Sequence, residues 1–402
     1  MTRPATLAAR LAIALGAVGA ACSARDLVAS QQQNVDGGHP AGYCAGSGPP
    51  ILVGDGITNG DGDGAPDNVC SGTIAVRTFV HALCTCEGYA TSTQLTTDSF
   101  DSALGPYTPG GTAAPVGIDG VLQTNAPVTV GGDLIVGSTA SLLVDLHTAR
   151  ALSVGGDLGT AVNVTTGGDA HVAGNVNLKT ITVAGTLTVP ADKTITGTVT
   201  GNLVRAPVTV TPPCACGTKD LVDIAAFVRA HKDDNQDAVI GLDPARLDGF
   251  TGDTALDLPC GIYYVSGIHG DGALHLRITG RVALLVGGDL ISTRPLTAEL
   301  ATDDAELDLM IGGMLRSNST LTIGRTDHPA RTRIYVAGAD TIQLSGDSQL
   351  AANLYAPLAP LAESGGATIF GSLFVRRLDQ AAPVMIHYDV DIRRADVACP
   401  IM

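Results

Sequence analysis

The chain of 402 residues contains no tryptophan, and only 3% of its residues are aromatic. That scarcity counts against a binding groove that stacks sugars or bases on aromatic rings. Basic residues are also few, since 23 Lys and Arg stand against 39 Asp and Glu and give a formal net charge of -16. The chain therefore offers no basic stripe for nucleic-acid phosphates. Hydrophobic residues make up 45% of the chain, which excludes a disordered protein.

Glutamate is scarce as well, because only four of the 39 acidic residues are Glu and the rest are Asp. Glutamate favours helices, whereas aspartate and glycine favour turns, and the chain holds 50 Gly. After the N-terminal segment no apolar run reaches the ~18 residues that a membrane-spanning helix needs. This composition predicts a mostly β protein with many tight turns.

The first residues are typical of an export signal. Arg3 and Arg10 precede the apolar stretch 11–21, which ends in small residues just before Cys22. The segment resembles a bacterial lipoprotein signal, in which the cysteine becomes the lipidated first residue, although Gly19 stands where such signals usually carry Leu or Val. With serine after Cys22, the resemblance implies the outer membrane, and either its surface or its periplasmic face. Ordinary cleavage after Ala21 or Ala24 is the alternative.

Nine cysteines support the export prediction. If Cys22 carries lipid, eight remain, an even number that suits four disulfides in an oxidising compartment. A four-thiolate zinc site is the rival interpretation, but the usual C-x₂-C spacing is missing. Each C-x-C pair is too close in sequence to bridge internally, so we hypothesise that the 84/86 pair bonds to the 214/216 pair. The disulfide candidates are Cys44, Cys70, Cys84, Cys86, Cys214, Cys216, Cys260 and Cys399.

Two regions repeat a glycine-marked step. Val-Gly-Gly-Asp-Leu occurs at 130–134, 154–158 and 286–290, and related steps fill the stretches between. Gly132 and Gly156 are 24 residues apart, and Gly288 and Gly313 are 25 apart. Between the glycines apolar and polar residues alternate, which is typical of strands with one face in a core. We expect the Gly-Gly steps to supply special backbone angles at corners, and the Asp to hydrogen-bond its own turn.

Strand, corner and strand at a fixed repeat length predict an all-β protein, a right-handed parallel β-helix (β-solenoid). A β-sandwich is the rival architecture. Two short amphipathic helices, one from Val76 through Leu83 to a stop at Gly88 and one from Leu221 to Val228, are expected to cover its ends or flanks. The predicted organisation is a signal peptide (1–21), a tether (22–45), a Cys-rich N-terminal cap (46–110), a first solenoid section (111–213), a helical insertion (214–259) and a second solenoid section (260–402).

One acidic loop has the pattern of a calcium site. Asn59, Asp61, Asp63 and Asp67 alternate with glycine, and oxygen ligands at alternate positions are what calcium requires. The loop resembles a single thrombospondin type 3 repeat, which implies these four residues as metal ligands and calcium as the bound ion. A solvated Gly/Asp linker is the alternative. The acidic loop 233–237 is a weaker metal candidate.

Other motifs give weaker chemical hypotheses. The corner aspartates Asp133, Asp157, Asp169 and Asp289 are expected to be structural, and a carboxylate ladder is the alternative. Gly346-Asp-Ser348 is similar to an esterase block without a suitably placed histidine partner, and the arginine pairs at 376–377 and 393–394 are interpreted as surface charge.

Two family resemblances extend over the repeats. The Gly-Gly-Asp-Leu steps are similar to those of bactofilins, polymer-forming β-helix proteins that are cytoplasmic and lack disulfides. The stretch 79–399 resembles more specifically an uncharacterised family of predicted bacterial surface lipoproteins. The segments that carry this resemblance include 95–101, 284–290, 353–357 and 371–376. The resemblance implies a surface location and a solenoid fold, and no reaction.

Together these patterns predict a non-catalytic, structural or adhesive surface lipoprotein with no catalytic residues. The expected partners are the membrane, through the lipid, and a surface polysaccharide or protein ligand. The first alternative is a β-helix polysaccharide lyase or hydrolase, which requires two or more Asp beside an Arg or Lys in a cleft. The second is a self-assembling surface rod, which requires an uncovered solenoid end.

Overall fold

The computed structural model describes the backbone of residues 52–54 and 68–70, Ala75, and residues 78–345 and 347–398. The predicted signal, the tether, the calcium loop with Asn59, Asp61, Asp63 and Asp67, and the candidates Cys22, Cys44 and Cys399 lie outside these residues. Two short strands, β1 (Leu52–Gly54) and β2 (Asn68–Cys70), pair antiparallel.

A first run of short strands begins at Leu83. Its members are β3 (Leu83–Thr85), β4 (Tyr89–Thr91), β5 (Leu95–Phe100), β6 (Val116–Ile118), β7 (Leu122–Thr124), β8 (Val128–Val130), β9 (Leu134–Val136), β10 (Ala140–Leu142), β11 (Leu146–Thr148), β12 (Leu152–Val154), β13 (Leu158–Gly159), β14 (Asn163–Thr166), β15 (Ala170–Val172), β16 (Val176–Val189) and β17 (Ile195–Arg205).

Two short helices and a second run of strands follow. They are α1 (Ile224–Ala230), α2 (Asp237–Ile240), β18 (Asp248–Phe250), β19 (Thr254–Leu258), β20 (Gly261–Val265), β21 (Ile268–Gly270), β22 (Leu274–Ile278), β23 (Arg281–Val286), β24 (Leu290–Ser292), β25 (Leu296–Leu300), β26 (Glu306–Ile311), β27 (Leu315–Ser317), β28 (Leu321–Gly324), β29 (Thr332–Val336), β30 (Ile342–Leu344), β31 (Gln349–Glu363), β32 (Ala367–Gln380) and β33 (Val384–Asp389). Short 3₁₀ helices span Pro329–Arg331 and Val390–Ala398.

The strands stack as coils of a parallel β-solenoid. Every strand pairing among β3–β33 is parallel, and β7, β8 and β9 pair with β10, β11 and β12, which are the next three strands along the chain. Each coil therefore has three sides. The predicted β-solenoid is confirmed and the sandwich is excluded, while its right-handed sense stays a prediction.

The coil length differs between the two runs. Leu122 lies opposite Ala140, which lies opposite Leu158, so a coil of the first run takes 18 residues, six for each side. In the second run the coils vary in length, from 20 residues between Thr254 and Leu274 to 25 between Leu307 and Thr332. The 24-residue spacing of the first run is therefore not a coil, because it counts one coil and one additional side.

The order of the coils differs from the order of the chain. The last coil does not stack on the end of the first run but on its beginning, since Leu373 pairs with Leu83 and Val384 pairs with Leu95. The chain enters in the middle of the solenoid, winds to one end at β17, returns, and winds back from the other end. We call this junction of last and first coils the seam.

The return segment, residues 206–247, runs along the outside of one side of the solenoid. Cys214 donates its N–H to Asp119, Val222 donates to the Tyr355 hydroxyl, and α1 contacts β26. Strands β20, β23 and β29 are consequently buried on both faces, inward by the core and outward by this segment.

Two disulfides fix the return segment beside the seam. They join Cys84 to Cys214 and Cys86 to Cys216, with Cα–Cα distances of 5.8 and 5.5 Å. The hypothesised link between the two C-x-C pairs is thereby confirmed. Cys260 is disulfide-bonded too.

The corner glycines serve close approach of neighbouring coils. A Cβ built on Gly155 would lie 2.2 Å from the carbonyl oxygen of Gly137 in the preceding coil, and one on Gly131 would lie 2.4 Å from that of Thr97. Neither glycine has a positive φ. The expectation that the Gly-Gly steps supply special backbone angles was therefore wrong, because their function is to leave room for the backbone of the adjacent coil.

The corner aspartates connect successive coils. The carboxylates of Asp133, Asp157, Asp169 and Asp289 each accept a backbone N–H 17 to 25 residues later, at 2.6–2.9 Å. The sequence pattern predicted that each Asp would bond its own turn. That expectation was wrong, because each carboxylate bonds the corner of the next coil instead. Their structural role agrees with the interpretation that was preferred over a carboxylate ladder.

The helix predictions fared differently. Residues 224–230 form α1, with Asp223 accepting from Ala226 at its N-terminus, and this helix covers a flank as expected. The other predicted helix is wrong at its C-terminal end. Ala75 and Thr78 are helical, but Leu83 already belongs to β3, because it pairs with strands on both sides.

The two ends of the solenoid are unlike. At the end formed by β18, β19 and β20, Gln236 exchanges two hydrogen bonds with the backbone of Ile262, and Asp237 accepts from Tyr264. Residues at the start of α2 thus satisfy the edge of β20, which would otherwise need a neighbouring strand. Strand β17, at the other end, pairs with β16 alone within the region of the chain that the structure describes.

Candidate functional site

A polar groove of about 770 Å³ lies at one corner of the second run. Strands β27 and β30 form one wall, and the bend within β32 forms the other. Three arginines share the groove with an aspartate and two amides. These residues are Arg316, Asn318, Asp340, Gln343, Arg376 and Arg377.

The coil repeat brings the groove residues together from distant positions. Arg316 faces outward on β27, and Asp340 lies 24 residues later, at the corner one coil further on. Arg377 lies directly opposite Pro360 of the preceding coil, at the bend where β31 and β32 turn from one side of the solenoid to the next. A bend exposes consecutive residues, so Arg376 and Arg377 both reach the groove.

Carboxylates hold the arginines in place. Arg316 donates to Asp340 at 3.0 Å, and Nε of Arg377 donates to both oxygens of Asp379 at 2.9 and 3.0 Å. Nε of Arg376 lies 3.6 Å from Glu87, a residue of the first coil across the seam. Since a guanidinium group carries five N–H donors, these contacts orient the arginines and leave donors that can bind a ligand.

The charge of the groove is permanent. The hydrogen bond to Asp379 raises the pKa of Arg377 above its usual range, so this side chain stays protonated at every physiological pH. All three arginine side chains are between one third and one half exposed, at 45%, 35% and 43% for Arg316, Arg376 and Arg377. Exposed guanidinium groups that share one groove can bind carboxylates or sulfates through paired hydrogen bonds.

A second cluster lies at the seam. His387 of the last coil sits opposite Asp98 of the first coil, with Nδ1 2.6 Å from a carboxylate oxygen. The other oxygen accepts from the Tyr107 hydroxyl at 2.6 Å. Burial opposes the charge of Asp98, but the bonds with His387 and Tyr107 outweigh it and lower the pKa of the carboxyl.

The rings around this cluster fill it. Tyr107 lies 4.1 Å from the His387 ring and 5.6 Å from Phe370, centroid to centroid. The His387 side chain is only 10% exposed. The arrangement has the imidazole and carboxylate of a catalytic dyad but closes the space that a substrate would need, so we interpret it as packing between coils.

A buried ion pair forms a third cluster of charged groups. Nε of Arg333 lies 2.6 Å from Asp308, both side chains are at most 2% exposed, and Glu306 lies 3.0 Å from the same guanidinium. Such a pair is compensated within the fold and is inaccessible to a ligand.

The sequence-predicted site residues are distributed as follows. The corner aspartates are spread over successive coils and bond backbone groups, as described above. Ser348 of the esterase-like block accepts from the Leu321 N–H and contacts the Ser345 hydroxyl, so its oxygen holds a corner. Among the described residues no group of three or more His, Cys, Asp or Glu side chains could hold a metal ion.

Sequence reasoning missed the groove. It assigned Arg376 and Arg377 to surface charge on a strand, which is correct for their exposure, but it did not connect them with Arg316. The available signal was the separation of Arg316 and Asp340 by 24 residues, which is close to one coil of this run.

Comparison with known proteins places the groove within a recognised domain. Residues 218–395 match the family model of a domain of unknown function, DUF7305. This stretch contains the second run of coils and all three groove arginines, while Glu87 comes from outside it. The resemblance to an uncharacterised family is therefore confirmed for just under half of the chain. No curated protein and no solved structure matches the sequence.

No helix among the described residues is long and apolar enough to cross a membrane.

Proposed function

We propose that the protein is a non-catalytic surface protein of structural or adhesive role, and that its arginine groove binds an acidic polysaccharide. The observation that carries this proposal is the convergence of Arg316, Arg376 and Arg377 on one open groove in a chain of net charge -16. In such a chain three guanidinium groups on one open surface need a reason, even though each also faces a carboxylate, and selection of an anionic polymer is one.

The polar residues of the groove fit a sugar polymer. Asn318 and Gln343 offer amide donors and acceptors at the same surface, and Ser345 and Ser364 add hydroxyl groups. Uronate or sulfate groups would bind the guanidinium forks, while sugar hydroxyls would bind the amides. An open groove suits a chain that passes through it rather than a small molecule enclosed within it.

The alternative of a lyase or hydrolase makes a different use of the same groove. It would employ Asp340 or Asp379 as an acid or base, yet each of these carboxylates lies at hydrogen-bond distance from an arginine. A carboxylate whose oxygens already accept N–H bonds from a guanidinium group is poorly placed to take a proton from a substrate. These pairings favour binding over chemistry.

The location and the metal belong to the same proposal. We infer that Cys22 carries a lipid that anchors the protein in the outer membrane, and that Asn59, Asp61, Asp63 and Asp67 bind calcium. Export agrees with the disulfides at Cys84 and Cys86, because such bonds persist in oxidising compartments.

The test is a binding measurement with polygalacturonate as the acidic polymer and dextran as the neutral one. The unmodified protein should bind polygalacturonate, with an affinity that falls as salt rises, and should not bind dextran. Replacing both Arg376 and Arg377 with glutamine should weaken binding about tenfold or more. Arg277→Gln is the matched control, since this arginine is also about half exposed and ion-paired, to Asp257 at 3.7 Å, away from the groove.

Two outcomes would contradict the proposal. Equal loss of binding in the Arg277 variant would show that net charge, and not the groove, attracts the polymer. Release of new reducing ends or unsaturated ends from polygalacturonate during incubation would show an enzyme.

A further inference from the structure

The end of the solenoid at β17 exposes the cut surface of the hydrophobic core. Ile195, Val199 and Leu203 occupy the inward position on the three sides of this coil, opposite Val176, Ile181 and Leu187 of β16. The three residues of β16 are at most 1% exposed, whereas Leu203 is 45% exposed. The difference arises because no further coil lies over β17 within the described residues.

The backbone edge of this coil is long and uncharged. Strand β17 runs for 11 residues around all three sides, and residues 195–204 contain no charged side chain. Charged residues and prolines are the usual means of protecting an edge strand from pairing with another chain. Arg205, the last residue of β17, is its one charged residue, and its guanidinium donates to the carbonyl oxygens of Pro190 and Lys193 in the same coil.

The opposite end does not match this edge. There Gln236 and Asp237 already bond the backbone of Ile262 and Tyr264 on β20, as described above. Strand β19, on the next side of the same end, has five residues and carries Asp257, and a charged edge strand resists pairing. A head-to-tail filament needs two matching ends, and these two differ, so the partner that matches the β17 edge is a copy of itself.

We propose that two copies of this chain associate through their β17 ends to form a two-fold symmetric dimer. A two-fold axis across the end sets one side antiparallel to its own copy and the other two sides antiparallel to each other. The pairing covers Leu203 and its inward companions and gives the free edge hydrogen-bond partners. Because the edge lacks acidic residues, the net charge of -16 does not place like charges in the contact.

The test is the mass of the full chain in mild detergent, measured by sedimentation velocity over a range of concentrations. The unmodified protein should sediment as a dimer. Leu203→Lys should convert it to a monomer, because a cation would be buried against its own copy. Leu143→Lys is the matched control, since Leu143 is also an exposed leucine, at 64%, but lies in a turn away from the end, and this variant should remain a dimer.

Asn202→Lys provides a second variant that does not touch the core, and it should also give a monomer. If Leu203→Lys fails to fold, this variant decides. An unmodified chain that is monomeric at every concentration would overturn the proposal, and so would open-ended polymers. A dimer that persists in Asn202→Lys would overturn it as well. None of these results depends on polysaccharide binding, which concerns the other run of coils.

Discussion

Glycine at the corners of the first run is a requirement of coil spacing. Neighbouring coils of a parallel sheet stack about 4.8 Å apart, and at a corner their backbones approach without side chains between them. A Cβ on Gly155 would lie 2.2 Å from the Gly137 oxygen, and real Cβ atoms do not approach an oxygen so closely. The neighbouring atom is backbone and cannot move without distorting its own coil.

Gly155→Ala should therefore destabilise the protein by about 1–3 kcal/mol, the usual cost of forcing extra volume into a packed site. Gly267→Ala is the control, because its added Cβ would lie no closer than 3.4 Å to any atom and would make ordinary contact with the His269 ring. Denaturant unfolding of both variants measures the difference. Equal stabilities would show that the coils can separate at the corner without cost.

A buried histidine gives the fold a pH dependence. His81 is 9% exposed, and burial, followed by the positive charge of Arg393, lowers its pKa from 6.5 to about 4. The unfolded chain binds a proton near pH 6.5, whereas the folded chain does so only near pH 4. The stability contributed by neutral His81 is therefore complete above pH 6.5 and is lost as the pH falls toward 4.

The expected loss from this residue over that range is at most about 3 kcal/mol. The free energy of unfolding, measured between pH 4 and 7.5 for the unmodified protein and for His81→Asn, checks it. The variant should lack this contribution to the decline, so the two curves should converge as the pH falls. Parallel curves would show that His81 does not titrate differently on folding.

The residue pattern predicted where the corners of the coils lie better than it predicted what the glycines and aspartates do there. The Gly-Gly-Asp steps do mark corners, but the glycines leave room for the adjacent coil and the aspartates bond the coil that follows. Both roles involve residues one coil away, and a single sequence shows the corner without showing its neighbour. The groove was missed for the same reason, since Arg316 and Arg376 meet only after the coils are stacked in register.

Among the elements, the return segment is the one that covers the second run from outside. It lies over outward side chains, where the rings of Tyr335, Tyr355 and Phe374 pack tilted or edge-on with centroids 5.0–6.1 Å apart. These rings would be exposed on a bare solenoid. The two disulfides hold the segment at the point where it crosses the first coil.

The two disulfides should act almost as one. Each closes a loop of 130 residues, and the cysteines of each pair are two residues apart, so either bond alone imposes nearly the same constraint on the unfolded chain. Replacing Cys84 and Cys214 with serine, or Cys86 and Cys216, should each cost little. Replacing all four should cost about 5 kcal/mol by loop-closure entropy. Additive losses in denaturant unfolding would contradict this account.

The helix prediction around residue 80 shows where periodicity is ambiguous. Phe79, Val80 and Leu83 have helical spacing, yet Leu83 begins a strand and Phe79 packs its ring 5.8 Å from Tyr335. A strand of three residues is too short for alternation to be recognised. Helix α1, by contrast, has a capping aspartate and an apolar face, and the sequence was sufficient to predict it.

At the scale of the whole molecule, the repeats predicted the solenoid but not the order of its coils. Every coil presents an edge that could accept any other, so the period alone cannot show that β32 and β33 stack on β3 and β5. The C-x-C pairs were the only indication, because a bond between Cys84 and Cys214 already requires the return segment to pass the first coil.

The seam should hold the two runs together without a covalent link. If a protease site is introduced at the exposed residues 211–212, before Cys214 and Cys216, and the cut chain is reduced, the two pieces should still elute together in gel filtration. The parallel pairing of β33 with β5 spans six residues and buries Ile386 completely. The same kind of continuous strand contact holds the other neighbouring coils together.

Ile386→Asp should release the pieces, since it places an unpaired charge in the seam. Met385→Asp, on the same strand but 44% exposed, should leave them associated. Pieces of the unmodified chain that separate on reduction would show that the disulfides and the peptide link, rather than the seam, keep the coils in this order.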